Sequence, residues 1–121
     1  MSTVAVSAET FESTVSENEI VFVDFWAAWC GPCRAFAPIY EEASLGHPDV
    51  VFGKVDTEAE PALTGAAQIR SIPTLMAFKD GILVFSQPGA LPAAALADVI
   101  RAVRELDMTQ APSEADSQRS A

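Results

Sequence analysis

Two cysteines are the only thiols of this chain, and two residues separate them in the stretch Trp29-Cys30-Gly31-Pro32-Cys33. Thiols at that spacing lie on one face of a helix start, close enough to bridge. Pro32 suits the first turn, where a missing N–H is no loss. At such a terminus unpaired backbone N–H groups point outward, and the helix dipole favours negative charge. The Cys30 thiolate should therefore form more readily than that of an ordinary cysteine, and the thiolate is the attacking species in disulfide exchange. Cys33, almost a turn inside, is expected to be the more buried and to resolve the mixed disulfide.

Other uses of the pair have to be weighed beside this one. A purely structural disulfide would close too short a loop to restrain the unfolded chain much. Tetrahedral zinc needs four ligands, and the chain adds to its two cysteines a single distant histidine, His47. Inert buried thiols, or a metal or cluster shared between two chains, stay compatible with the spacing alone. What favours redox chemistry is the setting of the pair, directly between a strand and a helix.

That setting is read from hydrophobic periodicity. Ile20–Trp26 is nearly continuous apolar sequence rich in β-branched and aromatic residues, the pattern of a strand buried on both faces. Residues 32–46 follow as a helix, in which Pro38 should produce a kink. Upstream, residues 4–6 suit a short edge strand, and a helix from about Ser7 places Phe11 and Val15 on one face. Downstream, residues 50–56 form a third strand, and Thr57 and Glu60 have the spacing of a capping box before a short helix. Residues 74–78 and 82–86 flank Lys79-Asp80-Gly81, a hairpin signal. A last helix from about Pro92 carries an apolar stripe of Leu96, Val99, Ile100, Val103 and Leu106, with Arg101 and Arg104 toward the other side. The expected architecture is α/β: one domain over residues 1–108, a mixed central sheet of about five strands flanked by about four helices. Residues 109–121 are polar and aperiodic, as in a disordered C-terminal tail.

Composition narrows the partners. Seven basic against 17 acidic residues give a net charge of −10, which would repel nucleic acid and anionic membranes. No apolar run approaches the roughly 18 residues of a membrane helix, and the N-terminus lacks the basic start and apolar core of a secretory signal. A cytoplasmic location is expected, and in a reducing cytosol a CxxC pair is more often catalytic or metal-binding than structural.

With Asp24, Trp29-Cys30-Gly31-Pro32-Cys33, Pro38, Ile72-Pro73-Thr74 and Gly89 in this order, the chain resembles the thioredoxin family from about residue 3 to residue 107. The resemblance implies the thioredoxin fold and a protein-disulfide reductase in which Cys30 attacks, Cys33 resolves, and the two form a redox-active disulfide. It implies that Asp24 is a buried carboxylate beneath the cysteines that takes the proton from Cys33. An acid within Val21-Phe22-Val23-Asp24-Phe25-Trp26 is costly unless paired or neutral, so its pKa should be raised. Lys54 corresponds to a lysine beside that carboxylate, although an ordinary solvated lysine fits the position equally. Pro73 would be a cis-proline facing the disulfide, exposing the Ile72 backbone to an extended substrate strand. Trp29, Ile72, Pro73 and Gly89 would form the landing surface around Cys30, and Trp26 would pack behind it.

Gly31 and Pro32 place no charged side chain beside the nucleophile, so the dithiol is less favoured and donates electrons: a reductase rather than an oxidase. The family likeness implies that no cofactor or metal binds this chain, and that electrons come from NADPH through a flavin-dependent thioredoxin reductase. Expected partners are that reductase and disulfide-containing protein substrates, met by a monomer. Arg34, Ser71 and Pro88 stand where relatives often carry other residues, a lysine, a glycine and a β-branched residue respectively. They leave the dithiol chemistry untouched and bear on partner choice.

Overall fold

A computed structural model describes residues 2–109. It contains, in chain order, β1 (Thr3–Ala5), α1 (Phe11–Ser16), β2 (Ile20–Trp26), α2 (Gly31–Leu45), β3 (Val51–Asp56), α3 (Pro61–Ala66), β4 (Thr74–Lys79), β5 (Ile82–Pro88) and α4 (Ala93–Glu105). The expected tail from residue 109 lies, apart from Thr109, outside the described residues.

The strands form one mixed sheet in the order β1-β3-β2-β4-β5. β1 and β2 run parallel to β3, whereas β4 is antiparallel to β2 and to β5. The long apolar strand β2 therefore lies at the centre, where both of its faces are covered. Its side chains alternate between two cores. Ile20 and Phe22 pack with Phe36 and Tyr40 of α2 and with Leu96, Ile100 and Val103 of α4. Val21, Val23 and Phe25 meet Val6, Met76, Phe11 of α1 and Leu63 of α3 on the other face. The alternation puts Asp24 in phase with Ile20 and Phe22, on the α2 side.

The hairpin between β4 and β5 turns on Asp80 and Gly81, with φ of 53° and 79°. Two consecutive left-handed residues are what a two-residue turn needs to match the strand twist. Just before it, Lys79 is buried to 5% exposure. Its ammonium donates to the carbonyls of Val103 (2.7 Å), Arg104 (2.9 Å) and Leu106 (2.9 Å), closing the C-terminal end of α4. Arg101 and Arg104 point outward as expected and pair with Asp98 at 2.8 Å and Asp49 at 2.9 Å.

Two local expectations fail for identifiable reasons. Helix α1 starts at Phe11 rather than near Ser7, because Ser7 closes a turn with Thr10: its N–H is bonded to Thr10 Oγ1 and its carbonyl accepts from the N–H groups of Thr10 and Phe11. The capping box before α3 does not form. Thr57 Oγ1 donates to the Trp26 carbonyl at 3.0 Å and Glu60 Oε1 accepts from the Ala8 N–H at 2.8 Å, so both side chains serve long-range contacts instead.

Candidate active site

The central strand delivers the cysteines. β2 ends at Trp26, three residues cross to Cys30, and α2 begins at Gly31. Cys30 is the N-cap, with extended backbone (φ −87°, ψ 112°), and its Sγ accepts the Cys33 N–H at 3.2 Å. Sulfur thus occupies the place where a helix N-terminus offers unpaired donors, as the spacing of Gly31 and Pro32 requires. Cys30 and Cys33 are joined as a disulfide with Cα atoms 5.2 Å apart. The expected contrast in burial is small, since Cys30 is 4% and Cys33 2% exposed. Arg34 follows and folds back, its guanidinium donating to the Ala28 carbonyl at 2.9 Å.

The loop before β4 supplies the opposing wall. The Ile72–Pro73 peptide bond is cis, Pro73 is buried, and Ile72 packs against the cysteine pair together with Trp26. The carbonyl oxygen of Ile72 lies 3.7 Å from Cys30 Sγ. Gly89, exposed and with φ of +100°, donates its N–H to the Pro73 carbonyl at 2.7 Å. That backbone conformation favours glycine. Trp29 is 67% exposed and donates its indole N–H to Glu58 Oε2 at 3.3 Å. Nothing in the local sequence around Glu58 signals this contact, which spans 29 residues.

On the central strand β2, Asp24 is fully buried, and neither carboxyl oxygen has a hydrogen-bond partner among the described residues. Burial pushes its pKa up from 3.8 to about 7, while the charge of Lys54 pulls in the other direction. Lys54 is the residue opposite Asp24 in the β2–β3 register. Its ammonium sits over the Trp26 ring, 5.0 Å from the centroid, rather than in a direct ion pair with the carboxylate. Burial and the charge of Asp24 together push the phenol of Tyr40 well above its ordinary value. The phenol donates to the Gly53 carbonyl at 2.8 Å.

The structure therefore gathers Cys30, Cys33, Gly31, Pro32, Ile72 and Pro73 into one constellation, with Gly89 bonded to the proline and Asp24 and Lys54 on adjacent central strands. His47 is not part of it: its ring lies beside Arg104 and Phe52. Among the described residues no group of three or more His, Cys, Asp or Glu is arranged to hold a metal ion, and no helix is long and apolar enough to cross a membrane. Chemically, the centre can cycle between a disulfide and a dithiol, carrying two electrons, and the strand that leads into it holds Asp24, whose carboxyl pKa is raised by burial to about 7.

Comparison with known proteins gives the same picture along the whole domain. Residues 2–102 match the family described as Thioredoxin. The chain is 58% identical over 109 residues to a Streptomyces coelicolor relative that bears the provisional name thioredoxin 2, covering 90% of this chain and 81% of the relative. It is 47% identical over 98 residues to thioredoxin 1 of Synechococcus elongatus, covering 79% and 92% respectively. Among solved structures, the thioredoxin of Plasmodium falciparum superposes with a TM-score of 0.76 at 40% identity, covering 82% of this chain and 96% of that one. A mutant thioredoxin from Halobacterium salinarum superposes at 0.79 with 33% identity, covering 88% and 95%.

Proposed function

The chain belongs to the thioredoxin family and is a thiol–disulfide oxidoreductase, and from that premise we propose how its residues share the work and which way its electrons run. Cys30 is the nucleophile and Cys33 the resolving thiol. The observation that carries this division is the position of Cys30 Sγ: it is the N-cap of α2, accepts a backbone N–H there, and faces the Ile72 carbonyl at 3.7 Å. A thiolate at that point gains from the helix terminus, whereas Cys33 lies inside the turn.

In the reducing half-cycle, the Cys30 thiolate attacks one sulfur of a substrate disulfide. A Cys30–substrate bond forms and the other substrate sulfur leaves as a thiolate. Cys33 passes its proton to Asp24 and attacks Cys30 Sγ, releasing the second substrate sulfur as a thiolate and leaving the Cys30–Cys33 disulfide. Two electrons have moved to the substrate. Asp24 suits the proton transfer because a base that titrates near 7 is poised between its two forms at neutral pH. Trp29, Ile72, Pro73 and Gly89 receive the substrate chain, the Ile72 backbone offering hydrogen bonds to an extended strand. Lys54 biases the charge state of Asp24 from the next strand.

The absence of any charged side chain at Gly31 and Pro32 supports electron donation rather than withdrawal. On this reading a flavin-dependent reductase using NADPH restores the dithiol, in the cytoplasm, and the chain works as a monomer. The test is a trapping experiment. A Cys33→Ser variant should accumulate mixed disulfides through Cys30, and Cys30→Ser should accumulate none. Wild-type turnover by Cys33→Ser would sink the two-thiol mechanism.

A further inference from the structure

Six of the chain's seven cationic side chains lie among the described residues; the seventh is Arg119. Five of the six are engaged within the molecule. Lys54 covers Trp26, Lys79 caps α4, Arg34 is bonded to the Ala28 carbonyl, and Arg101 and Arg104 hold Asp98 and Asp49. Arg70 is exposed and has neither a hydrogen bond nor an ion pair among the described residues.

Its place is not arbitrary. With Trp29, Glu58, Thr64, Ile69 and Ile72 it lines an open groove of about 560 Å³, and Ile72 packs in turn against the cysteine pair. The groove's one acid, Glu58, already accepts the Trp29 indole N–H. A substrate segment laid against Ile72 and Trp29 thus passes a free guanidinium, on a molecule whose net charge is −10. At ordinary ionic strength the diffuse repulsion of an acidic partner is screened beyond roughly 8–10 Å, whereas a guanidinium–carboxylate pair in contact keeps most of its attraction.

We propose that Arg70 is a specificity determinant: it favours oxidised protein substrates that place an acidic side chain in this groove, within a few residues of the reacting cysteine. The proposal deepens the reductase reading and rests on it. An exposed pair of this kind is worth about two- to fivefold in rate.

The test uses single-cysteine peptides joined by a disulfide to a neutral reporter thiol, with Glu, Gln or Lys moved through about three positions on either side of the cysteine. Second-order reduction rates are measured near 0.15 M salt, a condition in which distant charges are screened. The reduced wild-type protein is compared with Arg70→Gln and Arg70→Glu. Wild type should reduce the Glu peptides about two- to fivefold faster than the Lys peptides on the side of the cysteine that enters the groove. Arg70→Gln should abolish the difference and Arg70→Glu should invert it, while hydroxyethyl disulfide, small and neutral, is reduced equally by all three proteins. Equal rates for Glu and Lys peptides in the wild type, or a Glu preference that survives in Arg70→Glu, would overturn the assignment. If the wild type reduces no peptide at all, the reductase reading has failed first and takes this one with it.

Discussion

Asp24 is a carboxyl group in the centre of the sheet without a hydrogen-bond partner among the described residues, and its proton affinity follows from that position. In the unfolded chain it releases its proton near 3.8, and in the folded chain near 7. Between those values the folded protein holds a proton that the unfolded chain has lost, so stability falls as pH rises through this window and levels off above it. A gap of about three pH units corresponds to roughly 4 kcal/mol. Asp24→Asn stays neutral throughout. It should therefore be the more stable protein by roughly that amount at pH 8, with the advantage vanishing by about pH 4. Urea unfolding of both proteins at pH 4, 6 and 8 measures it, and parallel pH dependences would contradict the assignment. With Asp24 as the proposed proton acceptor of Cys33, the same substitution should remove the rise in mixed-disulfide resolution through about pH 7. The sequence alone exposed the oddity of an acid in an apolar run. It did not say that neither oxygen would be bonded, nor that Lys54 would lie over Trp26 instead of against the carboxylate.

Helix α4 illustrates how an element depends on a residue from elsewhere in the chain. Its inward stripe of Leu96, Ile100 and Val103 was legible from period alone. Its C-terminal end was not, because the group that satisfies it is Lys79, at the end of β4. Read locally, that lysine belongs to a hairpin. Lys79→Met keeps the buried stem but leaves three carbonyls of the α4 terminus without their ammonium. The expected loss is about 2–4 kcal/mol, since hydrogen bonds to a buried charge are stronger than neutral ones and orphaned acceptors are costly. Denaturant midpoints give the total, and amide hydrogen exchange should accelerate most in the last turns of α4. A loss spread evenly over all helices would argue against the capping role. Helix α2 is the opposite case: its start, its proline and its cysteine face follow from residues 30–38 themselves, and the structure adds only the near-equal burial of the two sulfurs.

The molecule as a whole carries ten surplus negative charges, and its two described ion pairs sit on the surface. Self-repulsion of that size opposes the compact state and is screened by salt. The melting temperature should rise by about 2–5 °C between 10 mM and 200 mM sodium chloride, a shift of several tenths of a kcal/mol in stability. Thermal melts at constant pH check it, and a decrease would mean that specific ion pairs outweigh the net charge. Read by itself, the residue string settles what short-range physics dictates: the alternation of strands and helices, the hairpin, the thiol pair at a helix start, and through the motif and Ile72-Pro73-Thr74 the family to which the chain belongs. Tertiary structure alone decides the long-range pairings. It turns Thr57 and Glu60 away from a capping box, sets Glu58 against Trp29, gives Lys79 to α4, and leaves Arg70 without an ion pair among the described residues, in the groove that Trp29 and Ile72 line. The physical reason is that periodicity and spacing report a residue's near neighbours. A polar side chain's partner is whichever group the packed sheet and helices bring to it.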